Sequence, residues 1–164
     1  MKINEQDYIV ETNAEAIAHG CNAKGIMGKG AAFGISRFYD IDMFLDYRNK
    51  CESGFFRPGR IYSYEEPGKP ILYNLAIQNK PGRNAKVHHV SSCLEKLARD
   101  MSDRGISSLA ITPLGCHNGG LNMEEVLDSI GNHLSGFDVT VYTAKDQIPL
   151  NIPETPDNVV RVLF

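Results

Sequence analysis

Residues 18–32, AHGCNAKGIMGKGAA, decide the fold. A short apolar run, Ala16 to Ala18, leads into HGCN. A loop with Gly25, Gly28, Gly30 and two lysines follows, and then the helix-permissive AAFGISRF. The order reads as strand, glycine-rich loop, helix. Glycine lets backbone N–H groups turn toward a ligand without a Cβ in the way, and a helix start leaves donors unpaired under a partial positive charge. The natural guest is an anion, most often a phosphate. The glycines match neither the Walker-type nor the dinucleotide-fold spacing, so a tight strand-to-helix turn without a ligand stands beside that reading.

Working outward, Tyr8-Ile9-Val10 reads as the core of a first strand with Asp7 at its lip, and Ile17-Ala18 belongs to a second. Ala31 to Tyr39 is a short helix, and Ile41 to Cys51 a second with partial helical periodicity. Arg60 to Tyr64 alternates as a half-buried strand does. Ile71 to Ile77 (ILYNLAI) is nearly all apolar, the mark of a strand covered on both faces. From Lys86 to Arg104, Val87, Val90, Leu94, Leu97, Ala98 and Met101 fall at helical spacing, and Gly105 follows as a C-terminal cap.

Ser108 to Thr112 reads as another buried strand, ending in a second glycine loop, PLGCHNGG (residues 113–120). Asn122 with Glu125 three residues on makes a capping-box-like helix start. Phe137 to Thr143 alternates as the last strand. Strands alternating with helices imply an α/β domain with helices on both faces of a mixed sheet, and ligands of such sheets sit beyond the strands' carboxyl ends. Both glycine loops belong there. Two anion-friendly loops on one rim suit a ligand with several negative or hydroxyl groups, such as a nucleoside diphosphate sugar.

The 164 residues fit one domain with one well-filled core. The net charge of −3 argues against a protein that mainly grips duplex DNA. Residues 22–86, however, hold eleven Lys/Arg against six Asp/Glu, whereas the remainder holds six against fourteen. That asymmetry suits a small polyanion at the glycine loop, or two merely solvated surfaces. No apolar run spans a bilayer and no signal-peptide core is seen, which gives a cytosolic expectation. Cys21, Cys51, Cys93 and Cys116 are far apart without a CxxC pair, so they read as reduced and mostly buried, with no metal site.

HGCNAKGIMGKGAA, YNLAIQ and ITPLGCHNGGLNMEEV together resemble the macrodomains, in the branch of terminal ADP-ribose protein glycohydrolases, DNA-deADP-ribosylating antitoxins and phage-type ADP-ribose-1″-phosphate phosphatases. The resemblance covers about residues 5–143. It implies a three-layer α/β/α macrodomain with a mixed central sheet over residues 1–144. Residues 145–164 lie outside the resemblance: their prolines and the apolar VVRVLF read as a proline-containing extension docked on the domain, with pairing at a sheet edge as the alternative. The resemblance further implies ADP-ribose or a derivative as the ligand, free or carried on a macromolecule, with hydrolysis at the distal ribose and no cofactor. A reader that binds without turnover is the alternative.

Carried over by position, Asp7 receives the adenine amino group, with Tyr8 beside it, and Asn22 contacts the distal ribose. Gly25, Met27, Gly28, Gly30 and Ala31 line the first diphosphate loop, flanked by His19 and Gln78. Leu114, Gly115, Cys116, His117, Asn118, Gly119, Gly120 and Leu121 form the second. Asn22, His117 and Lys29 are the catalytic candidates. Asn22 either orients the anomeric hydroxyl or water, or caps its own loop. His117 is a general acid or base, or a solvated side chain. Lys29 neutralises phosphate or solvates a helix start. His19 can equally be a packed histidine, and Cys116 either has a depressed pKa beside loop amides or merely packs. Two positions depart from the glycohydrolases: Gln78 stands where they carry a lysine, with Lys80 two residues later, and Gly119 where they carry an aspartate.

Overall fold

The structure, a computed structural model, describes residues 1–144; the docking of residues 145–164 expected from the sequence lies outside them. The strands are β1 (Lys2–Asn4), β2 (Ala16–Asn22), β3 (Ile61–Tyr64), β4 (Ile71–Gln78), β5 (Ser108–Ile111) and β6 (Asp138–Tyr142). The helices are α1 (Gly30–Phe38), α2 (Ile41–Glu52), α3 (Val87–Arg104) and α4 (Met123–His133). The sheet order is β1-β6-β5-β2-β4-β3, and only β3 runs antiparallel, against β4.

Alternate residues of the central strands feed two cores, as a period of two requires. Ala16 and Ala18 of β2 and Tyr73, Leu75 and Ile77 of β4 pack beneath α3 and α4. Ile17, Cys21, Leu72 and Ala76 pack on the other face beneath α1 and α2. The result is the α/β/α sandwich with a mixed sheet expected from the sequence. Helix α3 buries Val90, Cys93, Leu94, Leu97 and Met101 on one stripe, and Gly105 ends it at φ +70°. Helix α4 starts where Asn122 accepts the N–H of Glu125 (3.1 Å). Asp40 caps α2 in the same way through Met43 (3.1 Å).

One expectation is corrected. Tyr8-Ile9-Val10 is not a strand: Ile9–Glu11 is a 3-10 turn, and the first strand is the short, polar Lys2–Asn4. Asn4 causes the change by accepting the N–H groups of Gln6 (3.0 Å) and Asp7 (2.9 Å), a bend that takes the chain out of the sheet. Ile9 and Val10 are buried all the same, in the core beneath α1 and α2, so their apolar character serves packing rather than a ladder.

Candidate functional site

Because β1, β6, β5, β2 and β4 are parallel, the chain leaves all five on the same rim. The segments that leave β1, β2, β4 and β5 there are the Asp7 bend, the first glycine loop, residues 79–86 and the second glycine loop. Neighbouring strands lie about 4.8 Å apart, so the three spacings from β1 to β2 cover about 14 Å.

The first loop is shaped by Asn22. Its Oδ1 accepts the N–H of Lys24 (2.9 Å) and of Ile26 (3.4 Å), and its Nδ2 donates to the Ile26 carbonyl (2.8 Å). From α2, the Tyr47 hydroxyl donates to the Asn22 carbonyl (2.7 Å) and lies 3.1 Å from its Oδ1. Loop capping is therefore what Asn22 does here, and one Nδ2 hydrogen stays uncommitted. Gly25, at φ +79°, passes over Arg48, whose Cγ would stand 3.1 Å from a Cβ. At Gly28 no protein atom lies within 4 Å of a Cβ position, and its φ is not left-handed, so the fold itself does not require glycine there.

The second loop turns at Gly115 (φ +73°) and Gly120 (φ +81°). It is closed by Cys116 N–H to the Pro113 carbonyl (3.0 Å) and Leu121 N–H to the Gly115 carbonyl (2.9 Å). Gly119 is packed so tightly that a Cβ would stand 2.6 Å from the Gly115 oxygen and 2.8 Å from the Ala85 Cβ. An aspartate at that position has no room on this backbone. The two loops meet: a Cβ on Gly30 would stand 3.2 Å from Asn118 Nδ2. Among the described residues, the N–H groups of Gly30, Ala31 and Ala32 and of Gly115, His117, Asn118, Gly119 and Gly120 find no internal acceptor. Both loops thus offer unpaired donors, and those of the first stand at a helix start.

The remaining candidates divide. Asp7 is exposed, and one of its carboxylate oxygens accepts from Asn4 Nδ2 (3.0 Å). Tyr8 is half-buried beside it, as is Ala31 at the start of α1. Lys29 and His117 are exposed, and their side chains make no hydrogen bond or ion pair among the described residues. His19 is not on the rim: it is 1% exposed, and its Nε2 donates to Asn74 Oδ1 (2.5 Å) on β4. Burial depresses its proton affinity to about 4, so it stays neutral and spent inside the fold. The side chains of Met27 and Leu114 are likewise buried, one in each core, leaving only backbone for a ligand.

Cys116 has no depressed pKa, since partial burial pushes its thiol up to about 11, so packing is its role. Gln78 is 8% exposed and its Nε2 donates to the carbonyls of Lys80 (2.8 Å) and Gly82 (3.3 Å). It therefore organises the β4–α3 loop. Tyr47 escapes a reading of the sequence because it looks like any apolar helix position.

A mostly parallel α/β/α sandwich whose carboxyl rim carries two glycine loops that meet is a frame that suits a nucleotide. The chain matches no protein-family model. It is 31% identical over 142 residues to the DNA ADP-ribosyl glycohydrolase of Thermus aquaticus, covering 82% of this chain and 39% of that relative's length. The solved macrodomain of Thermus aquaticus DarG superposes with a TM-score of 0.77 at 28% identity, covering 86% of this chain and 96% of that one. Thermosipho africanus DarTG, solved in complex with ADP-ribose, has the same fold (TM-score 0.76, 21% identity, 98% of this chain and 43% of that one). The chain belongs to the macrodomain family.

Proposed function

We propose that the protein binds ADP-ribose along the carboxyl rim and hydrolyses a bond at its distal ribose, either a 1″-phosphate ester or an ADP-ribosyl linkage. The observation that carries this reading is the meeting of the two glycine loops at Gly30 and Asn118, with unpaired N–H groups on both sides. A diphosphate needs donors from two directions, and these supply them. Asp7, about 14 Å away across the rim, has a carboxylate oxygen to accept an adenine amino group. The names of the relatives, a DNA ADP-ribosyl glycohydrolase and a complex with ADP-ribose, support the same ligand. The free thiols of all four cysteines support a reducing, cytosolic address.

In the mechanism we favour, the fixed loops and the spare Asn22 Nδ2 hydrogen hold the distal ribose in one pose. For the 1″-phosphate, a water oxygen bonds to phosphorus as the bond to the 1″ oxygen breaks. His117 gives the leaving oxygen its proton and is reprotonated from solvent, while the water's proton passes to a phosphoryl oxygen, yielding ADP-ribose and inorganic phosphate. Lys29, at the start of α1, balances the charge of the diphosphate. A second reading, binding without turnover, is favoured by one observation: Gln78 is tied into its own loop and Gly119 has no room for a carboxylate, so the glycohydrolases' lysine and aspartate have no counterparts at these positions.

Calorimetric titration with ADP-ribose, followed by phosphate release from ADP-ribose-1″-phosphate and by release of ADP-ribose from ADP-ribosylated substrates, tests both. Binding with either release, lost in His117→Ala while binding survives, is the expected result. Binding without any release leaves the second reading, and no binding overturns both.

A further inference from the structure

Residues 67–94 contain no Asp or Glu, and within them the loop between β4 and α3 carries Lys80, Arg83 and Lys86. The other glycine-loop segments on this rim are also free of acids, over residues 16–39 and 104–123. Among the described residues, Lys80, Arg83 and Lys86 take part in no ion pair and no side-chain hydrogen bond. The loop is nevertheless well held. Gln78 bonds its Lys80 and Gly82 carbonyls, Asn84 Nδ2 bonds the Pro81 carbonyl (3.1 Å), and Ala85 N–H bonds the Gly119 carbonyl (3.2 Å). The last of these joins it to the second glycine loop.

Arg83 lies against that loop. Its Cζ and Nε are each 3.3 Å from the point where a Cβ on Gly120 would stand. A guanidinium laid beside Gly120, whose N–H also lacks an acceptor, sets positive charge at that end of the loop, an arrangement that an oxyanion there resolves. The order of strands then gives the place. With the adenine at β1 and the diphosphate at the β5 and β2 loops, the next strand along the rim is β4. Whatever is attached beyond the distal ribose therefore meets the β4–α3 loop.

We infer that Arg83, with Lys80 and Lys86 beside it, is a specificity-determining site for a phosphoryl oxyanion carried beyond the distal ribose. This rests on the reading that ADP-ribose lies along the rim. The oxyanion is either the 1″-phosphate of a small molecule or the phosphodiester of an attached strand. In both, bidentate recognition by the guanidinium discriminates the substituted ligand from bare ADP-ribose.

The test compares affinities of the whole chain and of Arg83→Gln for ADP-ribose, for ADP-ribose-1″-phosphate (KM where it is turned over) and for an ADP-ribosylated single-stranded oligonucleotide. Arg83→Gln is expected to change ADP-ribose binding by less than about twofold and to weaken a phosphate-bearing ligand about tenfold or more. A loss on ADP-ribose-1″-phosphate identifies the monoester. A loss confined to the oligonucleotide, deepened and made less salt-dependent by Lys80→Gln and Lys86→Gln, identifies the phosphodiester. Equal losses on all ligands, or none, overturn the inference while the reading that ADP-ribose lies along the rim stands. If the unaltered protein does not bind ADP-ribose, the reading beneath it falls as well.

Discussion

Asn118 Nδ2 stands 3.2 Å from the Cβ position of Gly30, so the two glycine loops of this macrodomain come together there. Gly30 also has φ +60°, a region that other residues enter only with strain. Gly28, two residues earlier, has neither constraint. The pair separates folding from binding: Gly30→Ala should lower stability by about 1–2 kcal/mol and weaken ADP-ribose. Gly28→Ala should leave the melting temperature unchanged and weaken ADP-ribose alone. Thermal unfolding and calorimetry of the two variants check this, and undiminished affinity in Gly28→Ala would mean that no ligand approaches there.

Asn22 holds the first loop through three loop backbone groups and accepts from Tyr47. Asn22→Ala should therefore cost about 2–3 kcal/mol of stability, more than an exposed ligand contact would. Tyr47→Phe, which removes a hydroxyl that donates to the Asn22 carbonyl, should cost about 1–2 kcal/mol. Denaturant unfolding of both measures it. An unfolding midpoint unmoved by Asn22→Ala would contradict the loop-capping role.

Gln78→Ala should free the carbonyls of Lys80 and Gly82 and loosen residues 79–86. Faster amide hydrogen exchange in that loop, with the core strands unaffected, is the expected readout. The same variant should blunt the preference for phosphate-bearing ligands, since Arg83 rides on this loop.

His19 gives a pH dependence. Burial lowers its pKa from the ordinary 6.5 to about 4, so between those values the unfolded chain binds a proton that the folded chain does not. Its contribution is complete above about pH 6.5 and is lost as pH falls toward 4, by about 3 kcal/mol. Melting temperatures from pH 7 to 4.5 should fall more steeply for the unaltered chain than for His19→Gln. Parallel curves would show that another group governs the acid side.

Much of this architecture was legible because single elements carried it. ILYNLAI could only be a strand covered on both faces, and the stripe from Val90 to Met101 with Gly105 behind it could only be a helix with its cap. Tyr8-Ile9-Val10 misled because burial, not pairing, is what apolar residues report, and the deciding group was the side chain of Asn4. At the site, the glycine loops were readable from spacing and their place on one rim from topology. That Asn22 is turned onto its own loop, that Gln78 is tied to Lys80 and Gly82, and that Gly119 has no space are facts of three-dimensional contact. No periodicity encodes them.

Whether both glycine loops hold one diphosphate is tested most directly by amide chemical shifts during an ADP-ribose titration. The N–H signals of Gly28 to Ala32 and of Gly115 to Gly120 should move together, with one shared affinity, while those of β3 and α3 stay in place. Movement in one loop alone, or in neither, would show that they do not hold one diphosphate between them.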